Sequence, residues 1–299
     1  MARYGRKYAN ESEKSYRLGV FTRNLDYVNA FRQAGNHSYT LGLNEFADLT
    51  KEEFTATYTT TITRPSPSEV SYPGLKPFRY GNVNAPSSID WRDKGAVTEV
   101  RKQGGCGACW AFAAVAAIEG INQIVRGDLL SLSEQELIAC DYNNDGCEGG
   151  LHYRSFSYVI SSGGMTTEER YPYNPDHIEC HDYDDWDIVV TISGYEIVPR
   201  NDEKSLMKAV ANQPVAVGID SRTFQFYSGG IYDGPCAADL DHEVTLVGYD
   251  TDEHGTAYWI AKNSWGKEWG DDGYLLIAKD VAEKEGRCGL AITAAYPVI

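Results

Sequence analysis

Apolar residues recur in helical step over residues 11–33: Leu18, Phe21, Leu25, Val28 and Phe31 return every three or four positions among polar neighbours, which predicts an amphipathic helix. Thr50 followed by Glu53 predicts a short capped helix over 50–57. The pattern then dissolves. Residues 59–84 carry Pro65, Pro67, Pro73, Pro77, Gly74 and Gly81 among Ser and Thr, the composition of an extended linker. Periodicity returns at 109–126, where Phe112, Val115, Ile118, Ile121 and Val125 space an Ala-rich helix. Ser133 with Glu136 opens another helix, and a further one covers roughly 151–161. Beyond 185 the texture becomes strand-like, with runs at 188–195, 214–220, 244–249, 256–262 and 273–278 rich in Val, Ile, Tyr and Trp. A helical first half thus precedes a β-rich second half, with no internal repeat.

Composition adds limits. The 299 residues are 42% apolar and 23% charged, enough for one large or two modest cores and unlike a disordered chain. No apolar run approaches a membrane span, and the first residues lack the apolar stretch of a signal peptide. The net charge of −16 is unevenly spread. Residues 1–84 hold 11 Lys and Arg against 8 Asp and Glu, whereas 85–299 hold 16 against 35. Without a basic stripe, nucleic acid and anionic membrane are poor partners. The asymmetry predicts instead that the small basic segment docks on the large acidic one. All seven cysteines lie beyond residue 105; an odd count allows three bridges and one free thiol, and six bridged cysteines permit fifteen pairings. Together with the sequons at Asn10 and Asn36, they predict an oxidising, secretory environment.

The densest chemistry lies in Gln103-Gly104-Gly105-Cys106-Gly107-Ala108-Cys109-Trp110. Glycines let a substrate backbone approach, and a thiol opening a helix faces the positive end of its dipole, which favours the thiolate. Cys109 is therefore a nucleophile candidate. A thioredoxin-type pair with Cys106 would need a preceding strand; a zinc site would need ligand spacing that His152 and His177 do not supply; two bridge cysteines would leave no free thiol here. A thiolate needs a base. His37, His152, His177, His181 and His254 sit in the small segment or in polar, surface-like contexts, whereas His242 stands at the mouth of the strand Val244–Tyr249. Asn263, closing the strand Tyr258–Lys262, could accept from its ring N–H, with Trp265 shielding that bond.

Gln-x-x-Cys-Gly-x-Cys-Trp, a histidine 133 residues after Cys109 and an Asn-Ser-Trp-Gly-x-x-Trp-Gly block 154 residues after it resemble the papain-like cysteine proteases, in particular their plant bromelain-like and papain-like branch. Asp90-Trp91-Arg92, Cys147-Glu148-Gly149-Gly150, Tyr171-Pro172-Tyr173, Gly234-Pro235-Cys236 and Cys288-Gly289-Leu290 extend the likeness over nearly the whole chain. The small segment resembles the family's inhibitory propeptide through Glu13, Arg17, Phe21, Asn24 and Val28, and through Gly42-x-Asn44-x-Phe46-x-Asp48; Val28 replaces the usual Ile, and Arg32 the usual Asn.

The resemblance implies an α+β, papain-like two-domain fold: a helical left domain and a β-barrel-like right domain in residues 85–299, preceded by a helical propeptide at 1–58 and a linker through the cleft at 59–84. It implies a cysteine endopeptidase zymogen with Cys109 as nucleophile, His242 as base and acid, Asn263 as orienter and Gln103 in the oxyanion hole, working through a thioester without cofactor or metal. It implies the pairings Cys106–Cys147, Cys140–Cys180 and Cys236–Cys288. Substrate contacts would fall to Gly107, Gly149, Gly150, Gly218, Leu240, Asp241, Glu243, Trp265 and Thr293. Glu243 departs from the small residue usual there; at the S2 wall it would favour a basic or polar P2 side chain, unless it turns to solvent or pairs elsewhere. Ala108 replaces the commoner Ser, and the loop Asp250–Thr256 is longer than usual. The expected partners are polypeptide substrates, the propeptide itself and cystatin-like inhibitors, for a glycosylated monomer in a vacuole-like or extracellular acidic site. The charge split predicts self-processing near pH 4–5, where carboxylates titrate.

Overall fold

The computed structural model describes residues 4–60, 62, 73–180 and 187–299. The first helix, α1 (Glu11–Ala34), starts where the Asn10 side chain accepts the Glu13 N–H at 2.9 Å and stops at Gly35. Its buried row runs through Val20 and Val28, with Phe21 and Phe31 partly covered. Leu18, expected in that row, is 60% exposed. It lies two residues before Val20, more than half a helical turn away, so both cannot face the same partner. Polar groups complete the seat of α1. Asn24 Nδ2 donates to the carbonyls of Ala47 and Leu49, both at 2.9 Å. Arg17 bonds Glu53 at 2.7 Å and the Asp48 carbonyl at 3.1 Å. Glu53 is also the reciprocal cap of α2 (Lys51–Tyr58), whose Thr50 closes the expected capping box.

This unit docks mainly through backbone, amide and aromatic contacts. Strand β1 (Tyr39–Leu41) pairs antiparallel with β6 (Tyr227–Tyr232). Asn44 Nδ2 donates to Gln225 O at 2.7 Å, and Gln225 Nε2 returns bonds to Phe46 O and Leu49 O. Phe46 and Phe54 set their rings edge-on to Trp265 at 5.9 and 5.2 Å. Among the described residues, two ion pairs cross between residues 1–84 and the rest, Lys102–Glu45 and Arg79–Glu196. The charge asymmetry thus contributes little direct pairing, and these two pairs have opposite polarity.

The remainder is built around α3 (Cys109–Arg126), which has the bounds the pattern predicts. It is buried over almost its whole length, because α4 (Glu134–Cys140) and α5 (His152–Ser162) cover one side and the sheet the other. The sheet runs β1-β6-β9-β8-β7-β5-β10-β4-β2, with β3 (Ile89–Asp90) on β7. Its other members are β2 (Leu75–Lys76), β4 (Gly194–Ile197), β5 (Val215–Ile219), β7 (His242–Thr251), β8 (Ala257–Lys262), β9 (Tyr274–Ala278) and β10 (Ala294–Val298). A second apolar cluster, with Tyr227, Trp259, Trp269 and Tyr296, fills this half, and α6 (Glu203–Val210) packs on it. The run 188–195 is not one strand: Val190 only bridges to Met165, and pairing begins at Gly194. The structure contains Cys106–Cys147, Cys140–Cys180 and Cys236–Cys288, with Cα separations of 4.6, 4.9 and 5.2 Å.

Val28→Ala should destabilise the first unit by about 1–3 kcal/mol through lost burial, whereas Leu18→Ala should stay within about 0.5 kcal/mol. Urea unfolding of the two variants checks this; equal losses would contradict the helix orientation.

Candidate active site

Cys109 is the first residue of α3 and the one free cysteine. Its N-cap, Ala108, brings no side-chain acceptor, so the helix's unpaired N–H groups and positive dipole end lie at the sulfur. The entering loop is pinned by the Cys106–Cys147 bridge and by Gly107 N–H donating to Cys147 O at 2.8 Å. A Cβ at Gly107 would come within 2.4 Å of that carbonyl, so glycine is required there. The sulfur takes the backbone N–H of Glu243, which sets it against the start of β7.

His242 opens β7 opposite Ile219 of β5 and is fully buried. Asn263 follows the last residue of β8, the antiparallel neighbour of β7, so both side chains emerge at one sheet end. Their contact is Nε2 to Oδ1 at 2.7 Å. Asn263 Oδ1 also accepts the Ser264 N–H at 2.8 Å, which fixes that oxygen as the acceptor and Nε2 as the donor. Nδ1 is left as the basic nitrogen, with no hydrogen-bond partner among the described residues. Trp265 stacks on the imidazole at 4.6 Å. Gln103 is held from both sides: Ser264 Oγ donates to its Oε1 at 2.6 Å, and its Nε2 donates to Cys106 O at 2.8 Å, leaving one amide N–H over.

The chain's own residues cover this constellation. Thr60 N–H donates to Asp241 O at 2.7 Å, Thr60 Oγ1 to Glu148 O at 2.9 Å, and Ile62 N–H to Leu240 O at 3.2 Å. Thr60 passes so close to Gly149 that a Cβ there would meet Oγ1 at 2.3 Å. Ile62 ends beside Gly218, Leu240 and Thr293, in the hollow left by the missing Cβ of Gly218. Gly150 packs against Asn144 and Trp110. The Asp241 carboxylate is turned to the N–H and hydroxyl of Ser221.

Covering the site changes its acids and bases. Burial, then the charges of Glu243 and Asp241, push the Cys109 thiol far above its ordinary range. Burial lowers His242 to about 4 against the opposing Asn263 bond. Both shifts favour the neutral forms, since burial penalises an ion pair here.

Glu243 takes one of the alternatives left open above, and His152 departs from expectation. Glu243 is fully buried and holds His152 rather than solvent: its Oε2 accepts the His152 backbone N–H at 3.1 Å and lies 3.0 Å from Nδ1. His152, read as a surface residue, is 0% exposed at the start of α5. Nothing local in the sequence signals a contact between positions 91 residues apart. Asn10 and Asn36 are exposed, as glycan acceptors must be. His177 and His254 lie at the surface, and His181 lies outside the described residues.

Residues 85–298 match the papain family cysteine protease model, and residues 1–54 match the cathepsin propeptide inhibitor domain. A senescence-specific cysteine protease of Oryza sativa subsp. indica is 49% identical over 304 residues, 99% of this chain and 88% of the relative. Fruit bromelain of Ananas comosus is 44% identical over 301 residues, 100% and 84% of the two chains. A recombinant stem bromelain precursor superposes with a TM-score of 0.92 at 42% identity, covering 100% of this chain and 96% of that one. A ragweed pollen cysteine protease in its proform does so at 0.88 and 44%, covering 95% and 87%.

In the intact chain, alkylation of Cys109 by iodoacetamide should be slow and nearly flat from about pH 5 to pH 8, and should rise at least about tenfold once residues 1–84 are removed. Peptide mapping by mass spectrometry reads it; equal rates before and after removal would contradict the covering role of Thr60 and Ile62.

Proposed function

The chain belongs to the papain family of cysteine proteases, and we propose that it is an endopeptidase zymogen held inactive by its own N-terminal segment. The observation that carries this reading is a free cysteine at a buried helix start that takes the N–H of Glu243, whose preceding residue in β7, His242, is bonded to an asparagine at 2.7 Å, all under residues of the same chain. Once the segment leaves, His242 Nδ1 takes the Cys109 proton, and the sulfur attacks a peptide carbonyl carbon. The oxyanion is met by the remaining Gln103 N–H and the Cys109 backbone N–H. His242 then protonates the leaving amine, giving a thioester. Water, deprotonated by His242, releases the acid and restores the thiol.

The direction of the covering segment supports inhibition without cleavage. It runs from Tyr58, packed on Phe46 and Phe54 beside Trp265, to Ile62 beside Gly218 and Leu240. By family resemblance, a substrate would run the other way. The hollow holding Ile62 is apolar, and the Glu243 carboxylate is engaged with His152, so the pocket favours an apolar P2 side chain over a basic one. Among the described residues no helix is long and apolar enough to cross a membrane. The three disulfides favour a secretory route.

Acid release has a specific seat. Partial burial pushes Glu53 up, but the Thr50 N–H and Arg17 outweigh it and hold its carboxyl below the ordinary range. A depressed carboxylate stabilises the fold above its unfolded value, and that contribution disappears as pH falls through the lowered one. The Arg17–Glu53 clasp of α1 to α2 therefore loosens in acid.

Cys109→Ala should abolish peptide hydrolysis, and Gln103→Ala should lower kcat/KM by about 10²–10³. A Cys109→Ala chain with full activity would end the reading. Peptides with P2 Leu should be cut with at least about tenfold higher kcat/KM than those with P2 Arg; the reverse order would mean that Glu243 faces substrate. Self-processing, followed on gels, should be about tenfold faster near pH 3, below the ordinary carboxylate range, than near pH 7.5, and equal rates would exclude the acid clasp.

A further inference from the structure

The His152–Glu243 pair is buried, ionisable and unused by the chemistry above. Both side chains are 0% exposed. His152 belongs to α5 in the helical half, and Glu243 to β7 in the sheet half, so the pair spans the two halves beneath the cleft. One oxygen, Oε2, takes both contacts with His152. Glu243 Oε1 and His152 Nε2 have no hydrogen-bond partner among the described residues. Two buried ionisable groups so sparsely satisfied are costly to keep for packing alone. The rings of Tyr153 and Phe156 pack edge-on against His152, so no water-rich surface relieves that cost.

Their position relative to the sulfur gives the pair a role. Glu243 directly follows His242, and its own N–H is the backbone donor to Cys109. Any shift of the Glu243 side chain is transmitted to the sulfur's seat through that peptide. We propose that Glu243, clamped by His152, is a positioning residue for the nucleophile: its backbone N–H holds the sulfur, and its carboxylate opposes the negative charge that the sulfur must acquire. The inference rests on Cys109 being the nucleophile and deepens that reading.

The charge on Glu243 is the leading side-chain influence that raises the Cys109 thiol, after burial itself. Other charged or titratable groups also face this region. The Asp241 charge acts on the sulfur from just before β7, where His242 follows it in the chain, and the Tyr173 phenol is coupled to the sulfur from the opposite loop. Glu243 shares a small cavity with Glu99, Arg101, Glu119, Glu134 and Lys262. Of all these, Glu243 alone combines a side-chain charge acting on the sulfur with a backbone bond to it. His152 keeps the carboxylate in place, so that its charge acts on the sulfur from a fixed position.

The test is the pH dependence of Cys109 alkylation by iodoacetamide in the acid-processed chain, a reagent that reads thiolate rather than hydrolysis. Glu243→Gln keeps the shape and the backbone donor while removing the charge. Its acid limb should move down by about half a pH unit, so that alkylation on the limb is about threefold faster than wild type. The double variant His152→Met/Glu243→Ala replaces the pair by apolar atoms and covers the case in which the single variant fails to fold; its limb should move in the same direction. A merely structural role would change the rate without moving the limb. Folded variants whose limb coincides with wild type overturn the proposal while leaving the peptidase reading intact. A processed wild-type chain whose Cys109 reacts no faster than an ordinary thiol overturns both.

Discussion

A thiolate and an imidazolium can coexist only where dipoles or water support their charge, and the rest of this molecule is arranged around that constraint. The start of α3 supplies the dipole, and the Glu243 N–H supplies a bond to the sulfur. Asn263 orients the ring so that its basic nitrogen remains available. Water access is controlled by a different part of the chain. Thr60 and Ile62 bond to the backbone at Leu240 and Asp241, immediately before His242. The same residues that would be lined by a substrate are filled by the chain itself, and the site they bury is driven toward two neutral groups.

Among the described residues, the inhibitory segment is held through shape and hydrogen bonds more than through charge. Its helices form a small unit clasped by Asn24, Arg17 and Glu53. That unit rests on β6 and Trp265 through an added strand and edge-on aromatic rings. Such contacts are insensitive to pH, whereas the Arg17–Glu53 clasp is not. In the proposed activation, acid acts on the folded unit that presents the covering segment rather than on a broad electrostatic seam.

Much of this was legible in the sequence. The Ala-rich helix opening at Cys109 is strongly periodic over 18 residues, and its bounds follow. His242 and Asn263 could be brought together because each stands at the end of an apolar run, and antiparallel neighbours share an end. Strand β6 was missed because Gly229 and Gly230 break its apolar pattern, and β10 because Pro297 sits inside it. Leu18 was misplaced because a spacing of three or four admits two overlapping rows, and only the partner surface selects one. That Glu243 pairs elsewhere was one open alternative, but its partner His152 was out of reach, since a buried carboxylate reveals its contact only through a residue distant in the chain.

The most direct measurement of the central claim is the protonation state of His242, read from the ring nitrogen chemical shifts of isotopically labelled histidine. In the intact chain the ring should stay neutral until the pH falls to about 4. After removal of residues 1–84 it should be an imidazolium that persists to at least about pH 7, as a thiolate partner requires. An imidazolium at pH 6 in the intact chain would show that the charge pair forms under the covering segment, and would contradict the account.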